Sequence, residues 1–267
     1  RLLPLKTETL SSIHRRLVTF LKSLFDTEVV KALNRYILLE LHASGGEIYV
    51  RRDFLRIFGD IVDSNRELVK PYTDKMKEKR AKDRLIEYQK VVEIDPENDS
   101  TIFDIGGGDG TFLNTLKNSQ NFGNSEFIVL DDERVNHPDI ITRKIQMLFD
   151  VRKDDLIQYV FAANSLHHVK YLQDNLKHLY DHMQQGGIIT VIEHDSNSHE
   201  FITFLEFVHA IYDSVNKKIP FRDYDTYANY MSISELTRVM GSVGFVPVKR
   251  TDPKSIYRRY AISYQKL

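Results

Sequence analysis

Apolar residues recur along this chain with two different periods, and the change from one to the other divides it. Leu10, Ile13, Leu17, Phe20, Leu21 and Leu24 fall three or four residues apart, as on one face of a helix. Val30, Leu33, Ile37 and Leu41 repeat the pattern after Asp26–Thr27, a suitable N-cap. Gly45–Gly46 closes the second helix, Ile48–Tyr49–Val50 reads as a short strand, and Phe54 to Val62 as helix again. Nothing from residue 1 to about 70 has the residue types of a reaction site. Residues 1–72 are therefore read as an N-terminal helical annex, with a partner-docking surface or a lid as alternatives.

From about Asp74 the pattern alternates. A charged helix to about Val92 leads through the turn-like Asp95–Pro96–Glu97–Asn98–Asp99 into short apolar runs at Thr101–Ile105, Glu126–Leu130, Ile140–Ile145, Leu156–Ala162 and Ile188–Glu193. Helical stretches separate them, most clearly Leu172–Met183 and Glu200–Val215. This order predicts an α/β domain over 73–267, with a mostly parallel sheet and helices on both faces. Ser234–Met240 reads as a capped helix, and Phe245–Lys249 with Tyr260–Tyr264 as a closing strand pair.

Composition changes the picture in two respects. With no cysteine, thiolate zinc sites, disulfides and cysteine nucleophiles are excluded, and a reducing cytosolic setting is compatible. A formal net charge of −1 argues against indiscriminate nucleic-acid binding, although the charge is uneven. Lys75, Lys77, Lys79, Arg80, Lys82 and Arg84 are interleaved with Asp74, Glu78 and Asp83, which reads equally as a solvated helix face or as a phosphate track. Lys249, Arg250, Lys254, Arg258 and Arg259 face only Asp252 in sequence, so this second segment leans further towards a polyanion. No apolar run has the length of a membrane span, so no membrane association is expected. The chain begins at Arg1 without an initiator methionine and is read as a domain of something longer.

The chemistry concentrates at Asp104–Ile105–Gly106–Gly107–Gly108–Asp109–Gly110, directly after an apolar strand and before a helical stretch from Thr111. Glycines let a backbone turn tightly and approach a ligand closely. The spacing is not that of a dinucleotide loop, because Thr111 stands where a third glycine belongs and an acid precedes the first. A pyrophosphate gains nothing from that carboxylate, whereas a cationic ligand does. Asp131 follows a second apolar strand about twenty residues on, where an acid accepts the hydrogen bonds of a ribose diol. The plainer alternative is a tight turn with a solvated Asp131; the two flanking strands and the second acid in register favour a cofactor site.

The pattern Asp104, Gly106, Gly108, Gly110 resembles the first motif of the class I methyltransferases that use S-adenosylmethionine. The resemblance covers nearly all of residues 74–267. It implies a Rossmann-like fold with a mostly parallel seven-stranded sheet and an antiparallel closing hairpin. It also implies S-adenosylmethionine as cofactor, held by Asp104, Gly106, Gly107, Gly108 and Asp131, with Asn164 and Ser165 from the loop after the fourth strand.

That loop continues Leu166–His167–His168–Val169. Adjacent histidines rarely turn both rings to one ion, and no third ligand follows at a suitable spacing, so no metal is expected. The run is similar to the Leu-His-Tyr run of enzymes that methylate N7 of the mRNA cap guanine, with His168 in place of the tyrosine. Those enzymes carry a Glu-Tyr pair where this chain has Asn229–Tyr230, after the ring-rich stretch Phe221–Tyr230 that includes Tyr224. His167, His168, Tyr224, Asn229 and Tyr230 are thus expected to orient the guanine. Glu193, Asp223 and Asp225 are candidates for its carboxylate partner. Packing histidines and tyrosines are the bland alternative. The overall pattern is similar to the C-terminal cap methyltransferase domains of large DNA virus capping enzymes. It implies capped RNA (GpppN) as partner, covalently linked upstream capping domains, and the host cytoplasm, viral factory or virion as location. Because guanine N7 has no proton to lose, no acid or base is expected. A small-molecule methyltransferase with a histidine base, and a silent methyltransferase fold acting as a regulatory subunit, are the rival readings.

Overall fold

The computed structural model describes residues 4–5, 7–43, 49–50, 63–69, 73–94, 100–131, 137–143, 149–216 and 227–267. Gly45–Gly46, the Phe54–Val62 helix and the Asp95–Asp99 turn lie outside this set. The chain divides into two compact units, Arg1–Pro71 with Ser196–Thr226, and Tyr72–Asp195 with Tyr227–Leu267. The stretch 196–226 falls inside the range 73–267 read from sequence as one domain, yet it groups with the N-terminal helices.

In the first unit, a two-residue ribbon pairs β1 (Pro4–Leu5) with β2 (Tyr49–Val50), and the helices α1 (Thr7–Leu24) and α2 (Thr27–Ala43) lie between them in sequence. Helix α6 (His199–Asn216) joins them through its own apolar face. Ile13, Leu17, Phe20 and Leu21 of α1 are buried, as are Phe201, Phe204, Leu205 and Phe207 of α6. The Arg16 guanidinium lies 5.4 Å over the Phe201 ring, and Ser214 donates a 2.6 Å hydrogen bond to Asp63.

The second unit is an α/β sandwich. Its elements are α3 (Asp74–Gln89), β3 (Thr101–Ile105), α4 (Thr111–Lys117), β4 (Glu126–Leu130), β5 (Ile141–Arg143), β6 (Ile157–Ala163), α5 (Leu172–His182), β7 (Met183–His194), α7 (Ile233–Val243), β8 (Phe245–Arg250) and β9 (Arg259–Lys266). The strands form a seven-stranded sheet in the order β5-β4-β3-β6-β7-β9-β8, in which β9 alone runs antiparallel to its neighbours. Side chains alternate across a strand, so each strand feeds two cores. Phe103, Ile105, Val160 and Val191 pack with Leu176 and Leu179 of α5 and Leu236 and Met240 of α7; Ile102, Phe161 and Ile192 pack with Leu85 and Tyr88 of α3 and Phe112 of α4. Burying one such Leu or Phe side chain contributes ~1.5–3 kcal/mol. The alternation also places Asp104 on the α3 face, beneath a helix rich in cations.

Two local readings change. β7 starts at Met183 instead of Ile188, because the register with β6 shifts between Ile157 and Tyr159 and the bulge absorbs Gly186–Gly187. α7 is capped by Ser232, not Ser234: the Ser232 hydroxyl accepts from the Glu235 N–H while Glu235 accepts from the Ser232 N–H. A buried bidentate pair, Arg143 Nη2 to Asp155 Oδ1 at 2.9 Å and Nη1 to Oδ2 at 2.5 Å, holds the end of β5. No described helix is long and apolar enough to cross a membrane.

Candidate active site

The glycine loop leaves β3 at the carboxyl edge of the sheet and closes on α4. Gly106 has φ +68°, and a Cβ there would meet the Ser165 Cβ at 2.5 Å, so the loop presses against the turn that follows β6. A Cβ on Gly108, at φ +58°, would meet nothing within 4 Å among the described residues, so this side of the loop is open among them. Asp131, at the end of β4, accepts a 2.8 Å hydrogen bond from the Gly108 N–H. Asp109 accepts from the Thr111 N–H at 3.1 Å and pairs with Lys77 of α3 at 3.2 Å, tying helix to loop. The sequence thus delivers Asp104, Gly106, Gly107, Gly108, Asp131, Asn164 and Ser165 to one place.

Asp104 is 1 % exposed, and its Oδ2 has no partner among the described residues. Burial pushes its carboxyl up to about 7; Arg84 opposes this and Asp131 adds to it. Buried polar atoms are rarely left unsatisfied, and an anion in this condition fits a cationic ligand. The Asn164 Oδ1 and Ser165 Oγ are buried and likewise unsatisfied among the described residues. Asn164 also has a left-handed φ of 54° at the turn. Open space above Gly108, an unsatisfied buried carboxylate and two further polar atoms fit the amino end of a sulfonium amino acid cofactor.

A methyltransferase-domain family model matches residues 74–250. The chain belongs to the class I S-adenosylmethionine-dependent methyltransferases. An O-methyltransferase family 2 protein from Planctomyces limnophilus, solved with apigenin, superposes with a TM-score of 0.51 at 13 % identity, over 78 % of this chain and 65 % of that one. S-adenosylmethionine-dependent methyltransferases from Archaeoglobus fulgidus (TM-score 0.48, 14 % identity, 73 % of this chain and 95 % of that one) and Thermotoga maritima (0.48, 16 %, 70 % and 89 %) are also similar. No curated protein sequence matches this one. At these identities the solved structures speak for the fold alone, and the fold is the one the glycine motif implied.

Beside the cofactor loop of this methyltransferase lies a second cluster. The turn Leu166–His168 is a single 3₁₀ helix. Its His167 ring lies 4.2 Å from the His168 ring and 4.9 Å from the Tyr230 ring, centroid to centroid. The Asn229 N–H donates to the His167 carbonyl at 2.7 Å, and the His168 Nδ1 donates to the Tyr227 carbonyl at 2.8 Å. His167, His168, Asn229 and Tyr230 are therefore brought together as the sequence suggested. Tyr224, Asp223 and Asp225 lie outside the described residues.

Glu193 takes a different part from the one foreseen. Its Oε1 accepts from the Leu166 N–H at 3.0 Å and its Oε2 from the His167 Nδ1 at 2.7 Å. Burial alone would raise this carboxyl, but the His167 charge and hydrogen bond, with His194 behind, hold it below the usual range. Both oxygens serve the chain itself, so Glu193 fixes the ring of His167 instead of reading a substrate edge. Burial likewise pushes His194 down to about 4, while its Nδ1 donates to the Tyr257 carbonyl at 2.8 Å. Sequence reasoning missed both partnerships and the place of Asp195, whose Oδ1 accepts from Ile233 N–H and Oδ2 from Arg258. Residues 26 and 63 apart carry no local signal of such bonds.

Proposed function

We propose that this methyltransferase methylates N7 of a cap guanine, as the C-terminal domain of a large DNA virus capping enzyme of the African swine fever virus kind, acting in the infected cytoplasm on GpppN-ended RNA. The observation that carries this reading is the ring cluster of His167, His168 and Tyr230 packed beside the cofactor loop, in the run that resembles the cap enzymes. Guanine offers a flat π-face, and stacking rings are what such a base requires. The bound cofactor supplies an electrophilic methyl group on a sulfonium. N7 is already a nucleophile with no proton to remove, so the residues have only to orient it, and orientation can supply ~7–11 kcal/mol of a barrier. Glu193 and the Asn229 N–H fix His167, and the Tyr227 carbonyl fixes His168.

A second reading has its own support. In a neutral ring, a His167 that donates through Nδ1 to Glu193 is basic at Nε2, which is how a histidine is set to take a proton from a hydroxyl. A small-molecule O-methyltransferase uses such a base, and the Planctomyces limnophilus structure holds apigenin.

One experiment separates the two. The protein is incubated with labelled cofactor and GpppG-capped RNA, the product is digested, and the methylated nucleoside is identified. The cap reading expects 7-methylguanosine, with no added metal. It also expects His167→Ala to lower turnover without a new steep pH dependence between pH 6 and 8. A wild-type rate that follows one ionisation near the ordinary histidine value of ~6.5 and loses it in His167→Ala overturns orientation in favour of a base.

A further inference from the structure

Five cations lie in the acid-poor segment around the turn of the closing hairpin, and the structure divides them. Arg258 pairs with Asp195, and the Arg259 Nη2 with Glu87 at 2.8 Å, so these two fasten the hairpin to its neighbours. Lys249 and Arg250, at the end of β8, and Lys254, in the turn before β9, are exposed. Their side chains have no hydrogen-bond or ion-pair partner among the described residues. Asp252 is the one carboxylate that lies between them in sequence. This rim therefore carries positive charge that its own residues do not neutralise.

The backbone places the rim beside the ring cluster. β9 runs antiparallel to β7, with Arg259 opposite His194 and Tyr260 opposite Glu193, so the hairpin turns at the carboxyl edge of the sheet. The Asp195 N–H donates to the Arg258 carbonyl at 3.0 Å, and the His194 Nδ1 to the Tyr257 carbonyl at 2.8 Å. The His194 ring in turn lies 6.1 Å from the His167 ring, centroid to centroid. Lys254 bridges to Arg259, and Lys249 pairs with Ser263 four residues further along β9, a separation of about 14 Å at the rise of a strand. The free cations therefore run from the turn outward along β8, the last strand of the sheet.

We infer that this rim, at Lys249, Arg250 and Lys254, holds phosphates of single-stranded RNA downstream of the cap. The inference rests on the cap-methylation reading for the identity of the strand. A strand leaving a guanine held at the ring cluster has the hairpin turn as its neighbour, and long cationic side chains on an open edge suit a flexible row of phosphates. Val246 and Val248 of the same strand are 41 % and 58 % exposed, and exposed apolar side chains rimmed by charge mark interaction surfaces. A protein strand is a poorer occupant, because Pro247 has no N–H to offer it and basic residues on an edge disfavour strand addition.

The test uses the 267-residue chain and labelled uncapped oligouridylate, with binding followed by anisotropy over a salt series. Lys249→Ala, Arg250→Ala and Lys254→Ala together should weaken binding at least tenfold. They should also lower the slope of log affinity against log salt by about 2, three phosphate contacts at ~0.7 each. Lys249→Arg with Lys254→Arg keeps the charge and should keep the binding. Lys75→Ala with Lys82→Ala, which removes two exposed cations of α3, should leave binding unchanged. Cofactor affinity by calorimetry and the thermal midpoint should stay at wild-type values in the triple variant. Methylation of the bare GpppG dinucleotide, which has no downstream strand, judges the cap reading separately, so loss of one result does not carry the other with it. Oligouridylate binding unmoved by the triple variant, or weakened as much by the Lys75 and Lys82 variant, overturns the rim. Polyglutamate bound as tightly as oligouridylate also overturns it, and marks the surface as one for an acidic protein.

Discussion

Two carboxylates lie buried near the carboxyl ends of β3 and β7, and they are served in opposite ways. Glu193 is satisfied from within: Leu166 N–H and His167 Nδ1 take both its oxygens, and its carboxyl is held below the usual range. Asp104 is 1 % exposed, its Oδ2 has no partner among the described residues, and its carboxyl is pushed up to about 7. The second arrangement does not favour the fold, because burying a carboxylate whose oxygen lacks a hydrogen-bonding partner is costly even with the Arg84 charge acting on it. The difference separates a residue that positions another side chain from one that waits for a ligand. It also explains why two carboxylates at two strand ends of one sheet belong to two halves of the site: Asp104 to the glycine loop, Glu193 to the ring cluster.

The largest effect should come from breaking the satisfied side. Glu193→Ala leaves the Leu166 N–H and the His167 ring without their buried acceptor, and removing one partner of such a pair costs ~3–5 kcal/mol. Denaturant unfolding should show a loss of this size. A loss below 1 kcal/mol would mean that Glu193 is not committed to the fold of this turn.

Asp131 differs from both, since at the end of β4 it accepts from the Gly108 N–H of the glycine loop itself. Asp131→Ala should weaken S-adenosylmethionine binding at least tenfold, as losing a charged hydrogen-bonding partner costs ~1.5–3 kcal/mol. Unchanged affinity by calorimetry would leave Asp131 as a strut for the loop and nothing more.

How much of this could be read in advance follows the range of the forces involved. β3 and β4 carry the bounds read from the apolar runs, because strand alternation and burial are local properties. The glycine loop was legible for a similar reason: its spacing and its flanking acid are contiguous. The assignment of α6 to the first unit was not, since an amphipathic helix records that it has an apolar face and not which surface covers it. The Gly186–Gly187 bulge was hidden because glycines signal a turn and a strand irregularity alike. The Glu193–His167 bond joins residues on two different elements, and only the packing of β6 against β7 brings them together. Arg258 of the basic end segment likewise finds its acid in Asp195, far from it in sequence.

The smallest effect, and the most direct, is the proton that Asp104 must release. A carboxyl raised to about 7 in the folded protein and ordinary in the unfolded chain binds its proton more tightly when folded. Its contribution therefore favours the fold at low pH and is lost as pH rises from about 4 to about 7. A cationic ligand prefers the ionised form, so cofactor affinity should run the other way. Calorimetry of S-adenosylmethionine between pH 6 and pH 8 should show binding tighten by up to about tenfold per pH unit below 7, levelling above it, with the dependence absent in Asp104→Asn. Wild-type affinity that is flat across this interval, or a dependence that survives in Asp104→Asn, would contradict the assignment of Asp104 as the anion that waits for the cofactor.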